Sequence, residues 1–136
     1  MNNLWQSLSG FPNFALYFIL ALAILAAFIV VYLWLMPYRE LRLIRDGNIA
    51  AAISLSGALL GFVLPLASAV AHSINPVDML AWAAIAFVAQ MIVYLAVSRL
   101  VPHFGEAISA GKVAPATLLA ALAVVVGVLN AACLTY

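Results

Sequence analysis

Charge is what this sequence has least of. Of its 136 residues five are Lys or Arg, four are Asp or Glu, and 69% are hydrophobic. A soluble domain of this size leaves a large share of its chain at the water interface, so an apolar content this high excludes a soluble fold. The class is integral membrane. A net charge of +1 supplies no basic field for nucleic acid, and no acidic or basic tail is present, so nucleic acid is not expected as a partner. The single cysteine, Cys133, excludes an internal disulfide and reads as a small apolar residue of a late membrane segment. His72 and His103 belong to opposite ends of the expected bundle and gather no Cys, His or carboxylate ligands, so neither a metal nor another cofactor is expected. The sequence also lacks a nucleophile paired with a base, an HExxH pair and a phosphate-cradling glycine loop, and the expectation is that it is not an enzyme. No Lys or Arg precedes the first apolar run, which argues against a cleaved signal peptide; that run is expected to stay in the mature protein.

Four apolar runs stand out: Phe14 to Met36, Ala50 to Ala71, Met79 to Leu100 and Val113 to Cys133. Each is long enough to cross a hydrocarbon core of about 30 Å at roughly 1.5 Å per residue. The expected fold is therefore all-α, a polytopic membrane protein with four transmembrane helices in one transmembrane domain over residues 1–136. Pro12, Pro37 and Pro102 punctuate the ends of these runs, where a missing N–H costs least. No Asp, Glu, Lys, Arg or His lies in the interior of any run, whereas proton-coupled transporters carry such groups there, so proton coupling is not expected. Asp46, Asp78 and Glu106 are read at the boundaries, with Asp78 as a cap for the third helix.

The basic residues Arg39, Arg42 and Arg45 lie between the first two runs, and Arg99 and Lys112 flank the last connection. The middle connection and both termini carry none, so the positive-inside bias puts these five side chains in the cytoplasm and both termini in the periplasm. Trp5, Trp34, Trp82, Tyr38 and Tyr136 lie near span ends, where amphipathic rings prefer the interface.

The second run carries the strongest pattern. At helical spacing Ala50, Ser54, Gly57, Gly61, Pro65 and Ser68 share one face. Lipid gives helices no hydrophobic reason to associate, so a stripe of small residues marks where two backbones approach. A shift of 66 residues lays Ala50, Ser54, Gly57 and Gly61 on Ala116, Ala120, Ala123 and Gly127, and Glu40 on Glu106. Pro37 matches Pro102 at 65 and Gly47 matches Gly111 at 64. These landmarks point to two parallel helical-hairpin repeats, about 14–71 and 79–136.

Three polar features lie within the runs. Pro65 cannot donate to the Gly61 carbonyl, which predicts a kink with a spare acceptor. Gln90, with Ala83, Ala86 and Tyr94 on its side, is expected to face the bundle interior or an oligomer interface, because an unpaired amide in hydrocarbon is costly. Asn130 sits on the edge of the small face of the fourth run, either as one hydrogen bond to a neighbouring backbone or as part of a shallow pocket with Ser68 or His72.

The stretch GNIAAAISLSGALLGFVLPLASA, Gly47 to Ala69, resembles the bacterial inner-membrane family called domain of unknown function 350, the YjfL-like proteins. The resemblance extends through LAWAAIAFVAQ, Leu80 to Gln90, and NAACLTY, Asn130 to Tyr136. It implies a small inner-membrane protein built from a repeated hairpin, with no catalytic residues to transfer and a weak association with envelope maintenance through neighbouring phage-shock-type and ATP-grasp proteins. Lys112 replaces Asn48 in the second unit. The expected function is a non-enzymatic membrane component, a homo-oligomer whose basic loops meet anionic lipid or a cytoplasmic protein. The alternative is a small channel or transporter for an ion or uncharged solute, formed in the oligomer by Ser54, Gly57, Gly61 and Ser68 with Gln90.

Overall fold

A computed structural model of the chain describes residues 2–36 and 40–134. Pro37, Tyr38, Arg39 and Tyr136 lie outside them. Seven helices follow in order: α1 (Asn2–Leu8), α2 (Phe11–Leu35), α3 (Glu40–Arg45), α4 (Ile49–His72), α5 (Pro76–Leu100), α6 (Phe104–Ser109) and α7 (Val113–Cys133). Among the described residues there is no strand. Four helices, α2, α4, α5 and α7, are long and apolar enough to cross a membrane. The two basic connections, read from the sequence only as joining segments, contain the short helices α3 and α6.

The most extensive helix contact is between α4 and α7. Contacts advance together along both: Gly57 lies against Ala120, Gly61 against Ala123 and Gly127, and the Ser68 hydroxyl donates to the Ala131 carbonyl at 2.9 Å. The two helices therefore run parallel. No side chain fits between them, since a Cβ on Gly61 would fall 2.5 Å from the Ala123 carbonyl oxygen and 2.8 Å from its carbon. Gly57 and Gly127 are as tightly faced, by the Ala120 Cα and the Gly61 carbonyl respectively.

Pro65 explains part of this geometry. It leaves the Gly61 carbonyl without its partner four residues on, yet α4 continues unbroken to His72. The Gly61 oxygen is pressed against the Cα of Gly127, an arrangement that lets a Cα–H group serve a carbonyl that the proline has left short of a donor.

Helix α5 closes a three-helix core with α4 and α7 through Met79, Ala83, Ala86, Gln90, Met91, Tyr94 and Val97. Its start corrects the capping assignment: α5 begins at Pro76, not Met79, because proline suits a first helical turn. Asn75 is the N-cap and accepts from the Asp78 N–H at 2.8 Å, while Asp78 reaches back to the Ile74 N–H at 3.1 Å.

Helix α2 is attached differently. Of its 25 residues only Phe28 and Tyr32 are buried. Phe28 stacks on Phe62 of α4 with ring centroids 4.2 Å apart and meets Phe87 and Tyr94 of α5 edge-on at 5.4 and 5.9 Å. Tyr32 meets Tyr94 at 5.3 Å. Its amino-terminal half carries Phe11, Phe14, Phe18, Ile19 and Leu22 exposed.

Candidate functional site

Three polar side chains, Tyr32, Glu40 and Ser54, converge where α2, α3 and α4 meet. Glu40, the first residue of α3, is 1% exposed. Its Oε1 accepts from the Tyr32 hydroxyl at 3.2 Å and from the Ser54 hydroxyl. Ser54 is the sixth residue of α4 and also lies 3.2 Å from the Ala51 carbonyl. The boundary placement read for Asp46, Asp78 and Glu106 does not extend to Glu40, whose burial the sequence does not indicate. A short helix begins at Glu40 and turns its first side chain inward, past the N-terminal turn of α4. Glu106, which the 66-residue shift lays on Glu40, is the third residue of α6 and is exposed, 3.5 Å from His103. Phe104, the first residue of α6, holds the buried position there.

A second pair lies about one turn deeper. The Tyr94 hydroxyl is 3.0 Å from both the Ala58 carbonyl and Gln90 Oε1. Gln90 is fully buried, and its Nε2 has no hydrogen-bond partner among the described residues. One hydroxyl hydrogen cannot serve two acceptors. Turning the amide lets Nε2 donate to Tyr94 while Tyr94 donates to Ala58, which satisfies the phenol and leaves the amide oxygen as the spare group.

Toward the far ends of α4 and α7 the polar groups serve backbones. Asn130 Nδ2 donates to the Ala86 carbonyl at 3.4 Å, whereas Ser68 bonds Ala131 and lies 3.5 Å from His72 Nδ1. Of the two alternatives for Asn130, the structure shows the single hydrogen bond to a neighbouring backbone, and Ser68 bonds a backbone carbonyl as well. The small-residue positions are closed rather than open. Ala50, Ser54, Gly57, Gly61, Pro65, Ala116, Ala123 and Gly127 are buried, and Ser68 and Ala120 half-buried, with α7 filling the space beside α4. They leave no path within one chain.

At the other end, Asn48 joins the two halves. Its Oδ1 accepts from the Ala51 N–H at 3.0 Å as the N-cap of α4, and its Nδ2 donates to the Ile108 and Ser109 carbonyls at 2.8 and 3.3 Å. The Asn-led motif was visible in the sequence; its second set of bonds, to α6, was not. Arg42, Arg45, Arg99 and Lys112 are all exposed at this end. Among the described residues no three His, Cys, Asp or Glu side chains come together as a metal site.

A family model described as Domain of Unknown Function (DUF350) matches residues 6–134. The chain belongs to the DUF350 family. Two relatives in Escherichia coli, from strain K12 and from O157:H7, are each described as UPF0719 inner membrane protein YjfL. Each is 35% identical over 123 residues, which cover 90% of this chain and 93% of the relative. No solved structure matches. The DUF350 match takes in all four long helices together with α3 and α6, so the Glu40, Gln90 and Asn48 clusters all lie within the family's extent.

Proposed function

We propose that this DUF350 chain is a non-enzymatic component of the bacterial inner membrane that acts by association, as a homo-oligomer, in support of envelope maintenance. One observation carries the reading. Helix α2 fully buries only Phe28 and Tyr32 and packs a further stripe from Tyr17 to Leu35 partly against the core, so its other face, with Phe11, Phe14, Phe18, Ile19 and Leu22 exposed, is free to meet lipid or a second copy. Between α2 and α4 this leaves an apolar groove lined by Phe18, Leu22, Leu25, Val63, Leu66 and Val70. The exposed Arg42, Arg45, Arg99 and Lys112 form the end that meets anionic lipid or a cytoplasmic protein, each worth about 1 kcal/mol near an anionic leaflet. With that end in the cytoplasm, both termini are periplasmic.

The same reading treats the chain as a duplicated hairpin. Supporting it, α3 and α6 are both six residues long, Gly47 and Gly111 follow them with φ of 86° and 81°, and Asn48 and Lys112 then start α4 and α7 with extended backbones. Against the alternative of a pathway formed between copies, Ser54, Gly57, Gly61 and Gln90 are already covered within one chain.

Two differently tagged copies, co-expressed and extracted in lipid discs without detergent, are expected to co-purify, and the protein in liposomes to leave solute flux unchanged. Recovery of one tag alone would overturn the oligomer, and a flux abolished by Gln90→Leu would favour the pathway.

A further inference from the structure

Helix α1 stands outside the packed bundle. Leu4, Trp5 and Leu8 are exposed, and among the described residues no extensive contact joins α1 to another helix. The aromatic pairs set its level. Phe28 stacks on Phe62 and meets Phe87 edge-on. At a rise of about 1.5 Å per residue, α4 ends roughly 15 Å beyond Phe62 and α5 begins roughly 16 Å beyond Phe87. Phe11, where α2 starts, is roughly 25 Å from Phe28 in the same direction. Helix α2 alone therefore carries the chain to the end of the bundle opposite the basic connections, and α1 is added past that point.

Its side chains divide by face. At helical spacing Leu4, Trp5 and Leu8 fall on one side and Asn3, Gln6 and Ser7 on the other, and no residue of α1 is charged. The helix also closes before α2 begins. Ser9 Oγ donates to the Gln6 carbonyl at 2.6 Å and the Gly10 N–H to the Ser7 carbonyl at 3.3 Å, a three-residue step that interrupts the α-helical ladder. Water on all sides would leave Leu4, Trp5 and Leu8 hydrated, whereas hydrocarbon on all sides would leave three polar side chains without partners. The bilayer boundary suits both faces, and tryptophan favours that level.

We propose that α1 lies in the lipid headgroup boundary at the end opposite the basic connections, with Leu4, Trp5 and Leu8 against the acyl chains and Asn3, Gln6 and Ser7 in water. Its partner is the phospholipid surface. Having no charge, α1 is held by buried apolar area alone, so lipid charge does not select it.

Nitroxides on single cysteines, Leu4→Cys, Gln6→Cys, Ser7→Cys and Leu8→Cys in a Cys133→Ser background, test this on the full chain in phosphatidylcholine vesicles with and without phosphatidylglycerol. Power saturation reads contact with oxygen, which concentrates in lipid, and with a neutral nickel chelate, which stays in water. Oxygen is expected to dominate at Leu4→Cys and Leu8→Cys and the chelate at Gln6→Cys and Ser7→Cys, in both kinds of vesicle. High chelate contact at every site would put α1 in water. Low contact with both reagents at Leu4→Cys and Leu8→Cys would put another copy over that face. Either result, or an alternation that needs phosphatidylglycerol, would overturn the assignment. Trp5 gives a reading with α1 unaltered. In a Trp34→Phe, Trp82→Phe chain its fluorescence is expected to be quenched more by lipid brominated near the headgroup than near the chain ends. Stronger quenching from the chain ends, or quenching by aqueous iodide alone, would also overturn it.

Discussion

Gly61→Leu is expected to separate α4 from α7 and lower the melting temperature in detergent sharply, while Ser56→Leu leaves it nearly unchanged. The two positions lie on the same helix five residues apart, and only their facing differs. Gly61 meets the Ala123 backbone so closely that even a methyl group would sit 2.5 Å from a carbonyl oxygen. Ser56 is exposed. Overpacking a protein core costs about 1–3 kcal/mol when side chains can yield. Here the obstacle is backbone, which yields only if the helices part, so the expected cost is above about 3 kcal/mol. The loss takes with it the dispersion contacts of the seam and the contact between the Gly61 carbonyl and the Gly127 Cα. Equal melting of the two variants would refute the facing.

Phe28→Ala is expected to release α2 while leaving the α4–α5–α7 core folded. Phe28 pairs with Tyr32, Phe62, Phe87 and Tyr94, and each such ring pair contributes about 0.5–1.5 kcal/mol beyond area burial. Lipid replaces part of what is lost, because hydrocarbon solvates apolar surface well. A loss of at least about 2 kcal/mol in α2 docking is still expected. Phe14→Ala is the matched control, since its ring contacts among the described residues are a tilted one with Phe11 and a stacked one with Phe18, along an exposed face. Hydrogen exchange of α2 amides in lipid discs reads the difference; equal protection in the two variants would contradict the aromatic anchor.

The long helices were legible because hydropathy and the three-to-four-residue spacing of small side chains are properties of single segments. The ends of the apolar runs fall within a few residues of the helices; α2 and α5 each start three residues early, at Phe11 and Pro76, because a proline in the first or second position suits a first helical turn. Glu40 was illegible for a different reason. Its neighbours in sequence, Arg39 and Leu41, mark a polar connection, and nothing local says that a six-residue helix there turns its first side chain inward. What buries it is Ser54, fourteen residues on, and Tyr32, eight residues back. Asn48 is similar: its cap is a local bond, but its bonds to Ile108 and Ser109 cross about sixty residues. Gln90 could be assigned an inward side from Ala83, Ala86 and Tyr94, whereas its partnership with Tyr94 and the Ala58 carbonyl required the packing of α4 on α5.

The central claim is that α4 and α7 touch backbone to backbone, in parallel, within the bilayer. Nitroxides on cysteines placed at Ser56 and Thr117, in a Cys133→Ser background, test it most directly. Both positions are exposed and line one groove between the two helices. Strong dipolar broadening in lipid vesicles is the expected result, reduced by adding Gly61→Leu. Sharp, non-interacting spectra in the otherwise unmodified chain would contradict the account.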